Sequence, residues 1–114
     1  MTTLYGIKNC DTVRKARQWL GSTGIEYTFH DFRIDGLNKK DLHTWIKAVG
    51  WEVLFNKRGT TWRQLPEKDK VTLDEGTAIK LMLAHPTLIK RPVLIHGKTI
   101  HVGFKPAEYK ALFS

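Results

Sequence analysis

Between Thr2 and Phe32 the hydrophobic pattern changes period twice, and that change narrows the folds open to the chain. Thr2 to Ile7 holds Leu4, Tyr5 and Ile7 in a short apolar run that reads as a strand. From Val13 the apolar residues recur at Val13, Ala16 and Leu20, the one-sided spacing of an amphipathic helix. Gly21-Ser22-Thr23-Gly24 is a stop signal with a glycine suited to a C-cap. Glu26 to Phe32 is rich in aromatic residues and reads as a second strand. Strand, helix and strand within about 30 residues make a βαβ unit, whose two strands are expected to run parallel.

The only cysteine in 114 residues, Cys10, falls at the first join of this unit. Asp11 or Thr12 suits the helix N-cap, because a side-chain oxygen there accepts one of the free N–H groups. Cys10 then stands at or just before a helix N-terminus. The N–H groups and the helix dipole favour negative charge there, as do Lys8, Arg14 and Lys15 if they lie close. Such surroundings lower a thiol's pKa and make it a nucleophile. Free cysteines also serve as small buried hydrophobes, and position alone leaves both roles open.

The remaining chain divides into a helical stretch and a strand-rich end. Asp35-Gly36 closes the βαβ unit, Asn38 suits an N-cap with Asp41 in the capping-box position, and Leu42, Trp45, Ile46 and Val49 form a clear helical stripe ended by Gly50. Trp51 to Phe55 fits a short helical turn, Asn56-Lys57-Arg58-Gly59 a polar loop, and Thr60 or Thr61 the start of another turn through Leu65. Residues 66–70 are polar and charged. Asp74 suits the cap of a helix carrying Ala78, Ile79, Met82 and Leu83, which His85-Pro86 stops. Val93-Leu94-Ile95 and Thr99 to Val102 read as strands joined by a tight turn at His96-Gly97-Lys98. Pro106 begins a last helix with Tyr109, Leu112 and Phe113 apolar. The sum is an α/β fold: a βαβ half, a helical insert at about residues 37–88, and an antiparallel ββα half. With a cysteine at the first helix, and Arg91-Pro92 immediately before a strand, that order describes a thioredoxin-like fold in one domain, residues 1–114.

Composition restricts function. The 19 Lys and Arg against 11 Asp and Glu give a net charge of +8. The basic residues are spread as pairs (Arg14/Lys15, Lys39/Lys40, Lys57/Arg58, Lys90/Arg91) with no nucleic-acid-binding signature, so small anions are expected as partners in preference to DNA. No run of about 18 apolar residues marks a membrane span. Met1-Thr2-Thr3-Leu4 lacks the pattern of a secretory signal, and one cysteine forms no internal disulfide. A cytoplasmic monomer is therefore expected. His30, His43, His85, His96 and His101 have no metal-ligand spacing, so no metal is expected.

The stretches Leu4-Tyr5-Gly6-Ile7-Lys8-Asn9-Cys10-Asp11-Thr12-Val13-Arg14-Lys15-Ala16, Arg58-Gly59-Thr60-Thr61-Trp62-Arg63, Ile89-Lys90-Arg91-Pro92-Val93-Leu94 and Val102-Gly103-Phe104 resemble the arsenate reductase (ArsC-like) family, which includes the Spx regulators. Within it the resemblance is strongest to the small YffB-type proteins, and it covers essentially the whole chain. It implies a thioredoxin-like core with a helical insert, a nucleophilic cysteine matching Cys10, and an arginine before a cis proline, matching Arg91 and Pro92. Arsenate reductases coupled to glutaredoxin hold the oxyanion with three arginines. Here one matches Arg91, Asn56 stands at the first position with Arg58 close by, and Lys105 stands at the third. Lysine keeps the charge and loses the planar fork. Spx regulators commonly carry a Cys-x-x-Cys switch, whereas the residue three after Cys10 is Val13.

Residues and resemblance together lead to the expectation of a glutathione-dependent thiol-disulfide reductase with a single nucleophilic cysteine. Glutathione is a co-substrate and no cofactor is bound. Cys10 attacks a disulfide, Lys8, Arg14 and Arg91 stabilise thiolate or glutathione carboxylates, and Asn9 and Thr12 add hydrogen bonds. Pro92, Asn56, Arg58 and Lys105 complete the expected substrate-binding set. Two alternatives stand beside it. One is arsenate reduction, with glutathione and glutaredoxin as partners. The other is a Spx-like regulator that binds RNA polymerase without catalysis.

Overall fold

The computed structural model describes residues 1–114. In chain order the elements are β1 (Thr2–Gly6), α1 (Asp11–Ser22), β2 (Thr28–Asp31), α2 (Lys39–Val49), α3 (Trp51–Leu54) and α4 (Thr60–Gln64). They continue with α5 (Glu67–Val71), α6 (Glu75–Ala84), a 3-10 turn (Pro86–Leu88), β3 (Val93–His96), β4 (Thr99–Val102) and α7 (Pro106–Leu112). Contacts divide the chain into two units, one of residues 1–36 with 91–114 and one of residues 37–90.

The first unit carries a four-stranded sheet in the order β2-β1-β3-β4. β1 runs parallel to β2, with Leu4 opposite Phe29, and antiparallel to β3, with Leu4 opposite Leu94. β3 and β4 form the hairpin, in which Gly97 adopts φ 59°, the left-handed value a two-residue turn requires. The apolar spacing read in α1 is the face the helix buries: Val13, Ala16 and Leu20 are fully buried. Leu4, Ala16, Leu20, Leu94 and Tyr109 form the core of the unit, with Trp19, Ile25, Phe29, Phe104 and Phe113 among the side chains packed against it. The Tyr109 ring meets Phe104 edge-on at 4.7 Å and Trp19 at 5.6 Å. Each leucine removed from water here is worth about 1.5–3 kcal/mol. The fold class is therefore α/β, with the parallel and antiparallel pairings that the alternation of elements implied.

Two local expectations are corrected, and one short helix was not anticipated. β2 spans Thr28–Asp31 and not Glu26 to Phe32, because its ladder partner β1 pairs with it only from Thr3 to Gly6. Tyr27, left outside the strand, accepts a hydrogen bond from Arg17 Nε at 3.3 Å. The N-cap of α1 is Cys10, neither Asp11 nor Thr12: Cys10 is extended (φ −88°, ψ 128°) and its carbonyl accepts the Arg14 N–H at 2.9 Å. Asp11 already lies in the helix, where its carboxylate pairs with Arg14. Residues 67–71 form a helical turn, α5, that buries no side chain, so no apolar stripe announced it.

The second unit is helical. Asn38 Oδ1 caps α2 by accepting the Lys40 N–H at 2.8 Å, and Asp74 Oδ1 caps α6 by accepting the Thr77 N–H at 2.8 Å. Leu42, Trp45 and Ile46 of α2, and Ala78 and Met82 of α6, are buried. A single antiparallel bridge joins Phe55 to Ile89, flanked by Asn56 N–H to the Leu88 carbonyl and Lys90 N–H to the Leu54 carbonyl, both 2.7 Å. No helix is long and apolar enough to cross a membrane.

Candidate active site

The site is built at the carboxyl end of β1. Gly6 ends that strand, and its carbonyl accepts the Phe32 N–H from the end of β2 at 2.9 Å. The Ile7 carbonyl then accepts the Cys10 N–H at 3.1 Å, closing the four-residue turn Ile7-Lys8-Asn9-Cys10. The turn delivers Cys10 directly into the capping position of α1. Close approach of strand and helix depends on Gly6, since a Cβ there would lie 2.7 Å from Val13 Cγ2.

The Cys10 side chain is partly exposed and unpaired with any other cysteine. Burial pushes its thiol pKa up. Acting against burial are the Val13 backbone N–H, a hydrogen bond and the positive charge from Arg91, and the Thr12 backbone N–H. The donors and the guanidinium win, and the thiol lies below its ordinary value. These groups combine the unpaired amides of a helix N-terminus with one cation, both of which favour the thiolate over the thiol.

Arg91 reaches the thiol from two residues before β3. The Arg91–Pro92 peptide is cis, as the resemblance implied. Pro92 is buried, and its carbonyl accepts the Gly103 N–H at 2.8 Å from beyond β4. Gly103 has φ 88°, a conformation a side chain would strain.

Of the residues singled out in the sequence, Cys10, Thr12 and Arg91 are brought together, Thr12 through its main chain. Lys8 and Asn9 are exposed in the turn preceding Cys10. Arg14 is exposed on α1 with its guanidinium on Asp11. Lys105 is exposed at the N-cap of α7, where its carbonyl accepts the Glu108 and Tyr109 N–H groups at 3.0 and 3.1 Å. Asn56 and Arg58 belong to the helical unit. There Asn56 Oδ1 accepts the Arg58 N–H at 3.0 Å and shapes the loop before α4.

One residue of the site region went unread in the sequence. Asp31, 5% exposed at the end of β2, receives the Lys8 N–H on Oδ2 at 3.0 Å and the Arg33 N–H on Oδ1 at 2.8 Å. The available signal was a carboxylate inside an aromatic strand, which must find donors if buried.

The ArsC family profile matches residues 5–112. Among solved structures, the YFFB protein is 47% identical and superposes with a TM-score of 0.96 over 100% of both chains. An arsenate reductase (ArsC) related protein from Brucella melitensis is 52% identical with a TM-score of 0.79, covering 98% of this chain and 93% of that one. The global transcriptional regulator Spx of Streptococcus pyogenes is 27% identical over 100% of this chain and 86% of its own length. A strand ending in a cysteine-capped helix, an arginine before a cis proline, and a family profile spanning nearly every residue agree: the chain belongs to the ArsC family.

Proposed function

We propose that the protein is an oxidoreductase of the thiol-disulfide type that uses Cys10 as its single nucleophile and glutathione as its resolving thiol. The observation that carries this reading is the Cys10 thiol held below its ordinary pKa by the Val13 and Thr12 amides and by Arg91. The Cys10 thiolate attacks one sulfur of a substrate disulfide, the other sulfur leaves as a thiolate that takes a proton, and a mixed disulfide remains on Cys10. A glutathione thiolate then attacks the mixed disulfide and releases the second substrate thiol or Cys10. A further glutathione completes the reduction, so two glutathione thiols become one glutathione disulfide. No second cysteine exists in the chain to do this internally. Lys8, in the turn before Cys10, offers charge to the glutathione carboxylates, alongside Arg91. The Cys10→Ser variant tests this reading: glutathione-dependent reduction of a small mixed disulfide is expected to fall to the uncatalysed rate. Activity kept by that variant would remove Cys10 from the mechanism.

Arsenate reduction is the second reading, favoured by the 52% identity to the Brucella protein described as related to arsenate reductase. Arg91 is the one arginine matching the three that the resemblance leads one to expect, with Asn56 and Lys105 at the other positions. Side-by-side assays with arsenate and a glutathione mixed disulfide distinguish the two substrates. The likeness to a global transcriptional regulator supports a third reading, binding of RNA polymerase without catalysis, which a pull-down with polymerase tests directly.

A further inference from the structure

The turn that presents Cys10 is held from two sides. Its own closing bond runs from the Cys10 N–H to the Ile7 carbonyl at 3.1 Å. The Lys8 N–H points the other way, to Asp31 Oδ2 at 3.0 Å. Asp31 is itself fixed on every polar atom. Oδ1 accepts the Arg33 N–H at 2.8 Å, its N–H donates to Asp35 Oδ2 at 3.0 Å, and its carbonyl accepts the Ile34 and Asp35 N–H groups at 3.1 and 2.8 Å. Asp31 as a residue is 5% exposed, so solvent offers little substitute for these donors. Burial pushes the Asp31 pKa up, yet the Arg33, Lys8 and Ile34 amides and the Arg33 charge more than offset it and keep the group ionised.

We propose that Asp31 is a positioning residue for Cys10: by anchoring the Lys8 N–H it fixes the turn that sets the sulfur against the Val13 and Thr12 amides and beside Arg91. This inference rests on the reading of Cys10 as the nucleophile. Electrostatics and positioning act in opposite directions, which makes the proposal testable. A carboxylate near a thiolate raises the thiol pKa, so removing its charge alone would make Cys10 more acidic. Loosening the turn draws the sulfur away from its donors and makes Cys10 less acidic.

The experiment is the pH dependence of Cys10 alkylation by iodoacetamide in the full chain, with folding verified by circular dichroism. In Asp31→Asn the midpoint is expected to move upward, with the rate at pH 7 falling about three- to tenfold, since one pKa unit is a tenfold change in thiolate fraction. A midpoint that stays or moves down in the folded variant overturns the proposal. Should Asp31→Asn not fold, Lys8→Pro against Lys8→Ala replaces it. Both lose the ammonium, proline is accepted at the second position of a turn, and only proline deletes the N–H that Asp31 receives. A higher midpoint for Lys8→Pro supports the proposal, and equal midpoints overturn it. Because alkylation needs neither glutathione nor a disulfide, failure of the reductase reading leaves this result intact.

Discussion

At the residue scale, the proposed chemistry depends on a balance around one sulfur atom. Burial disfavours the thiolate, and two main-chain amides together with Arg91 reverse it. Arg91 contributes twice, by hydrogen bond and by charge, so Arg91→Ala is expected to raise the midpoint of Cys10 alkylation and slow the reaction at neutral pH by about tenfold. The sign follows from removing groups that stabilise only the ionised form. Arg91→Lys returns the charge without the planar fork and is expected to fall between the two. Rate–pH profiles of the three proteins check the order. Cys10 was legible because a lone cysteine before a helical stripe has few other places to be. Asp31 was not. Its role exists only once a donor 23 residues earlier, the Lys8 N–H, is brought to it by pairing of β1 with β2.

At the element scale, the critical contact is that of β1 with α1. Gly6 faces Val13, which is fully buried, and an added methyl group would overlap Val13 Cγ2 at 2.7 Å. Gly6→Ala is expected to destabilise the protein by about 1–3 kcal/mol as the helix or the valine shifts. Adding Val13→Ala should relieve the overlap, so the double variant loses less than the sum of the singles. A coupling above about 0.5 kcal/mol in denaturant titrations would establish the contact, and additivity would refute it. Elements with a buried stripe or an identifiable cap, such as α2 with Asn38 and α6 with Asp74, could be read from the sequence because periodicity and capping are local properties. The ends of β2 could not, since a strand stops where its partner stops. Nor could α5, which buries no side chain and bears no periodic apolar pattern.

At the scale of the whole molecule, the net charge of +8 bears on which substrates arrive. Anionic disulfides are drawn to such a protein and neutral ones are not. The reaction of Cys10 with glutathione disulfide is expected to slow at least about threefold as the screening length falls from about 30 Å to about 8 Å between 0.01 and 0.15 M salt. The neutral disulfide of 2-mercaptoethanol should show little change. Stopped-flow measurement of both across that range is the check, and equal salt dependence would show that charge plays no part in substrate choice. The sequence alone determined the order of elements, the parallel βαβ start, the antiparallel end and the position of the one cysteine, because all of these follow from periodicity, turn residues and one unique side chain. Only the tertiary structure decided which distant groups gather around that cysteine. Arg91 and Asp31 become neighbours of Cys10 or of its turn through sheet pairing, and hydrogen bonds between distant segments leave no local mark in a sequence, whereas the helix amides beside Cys10 are local to it.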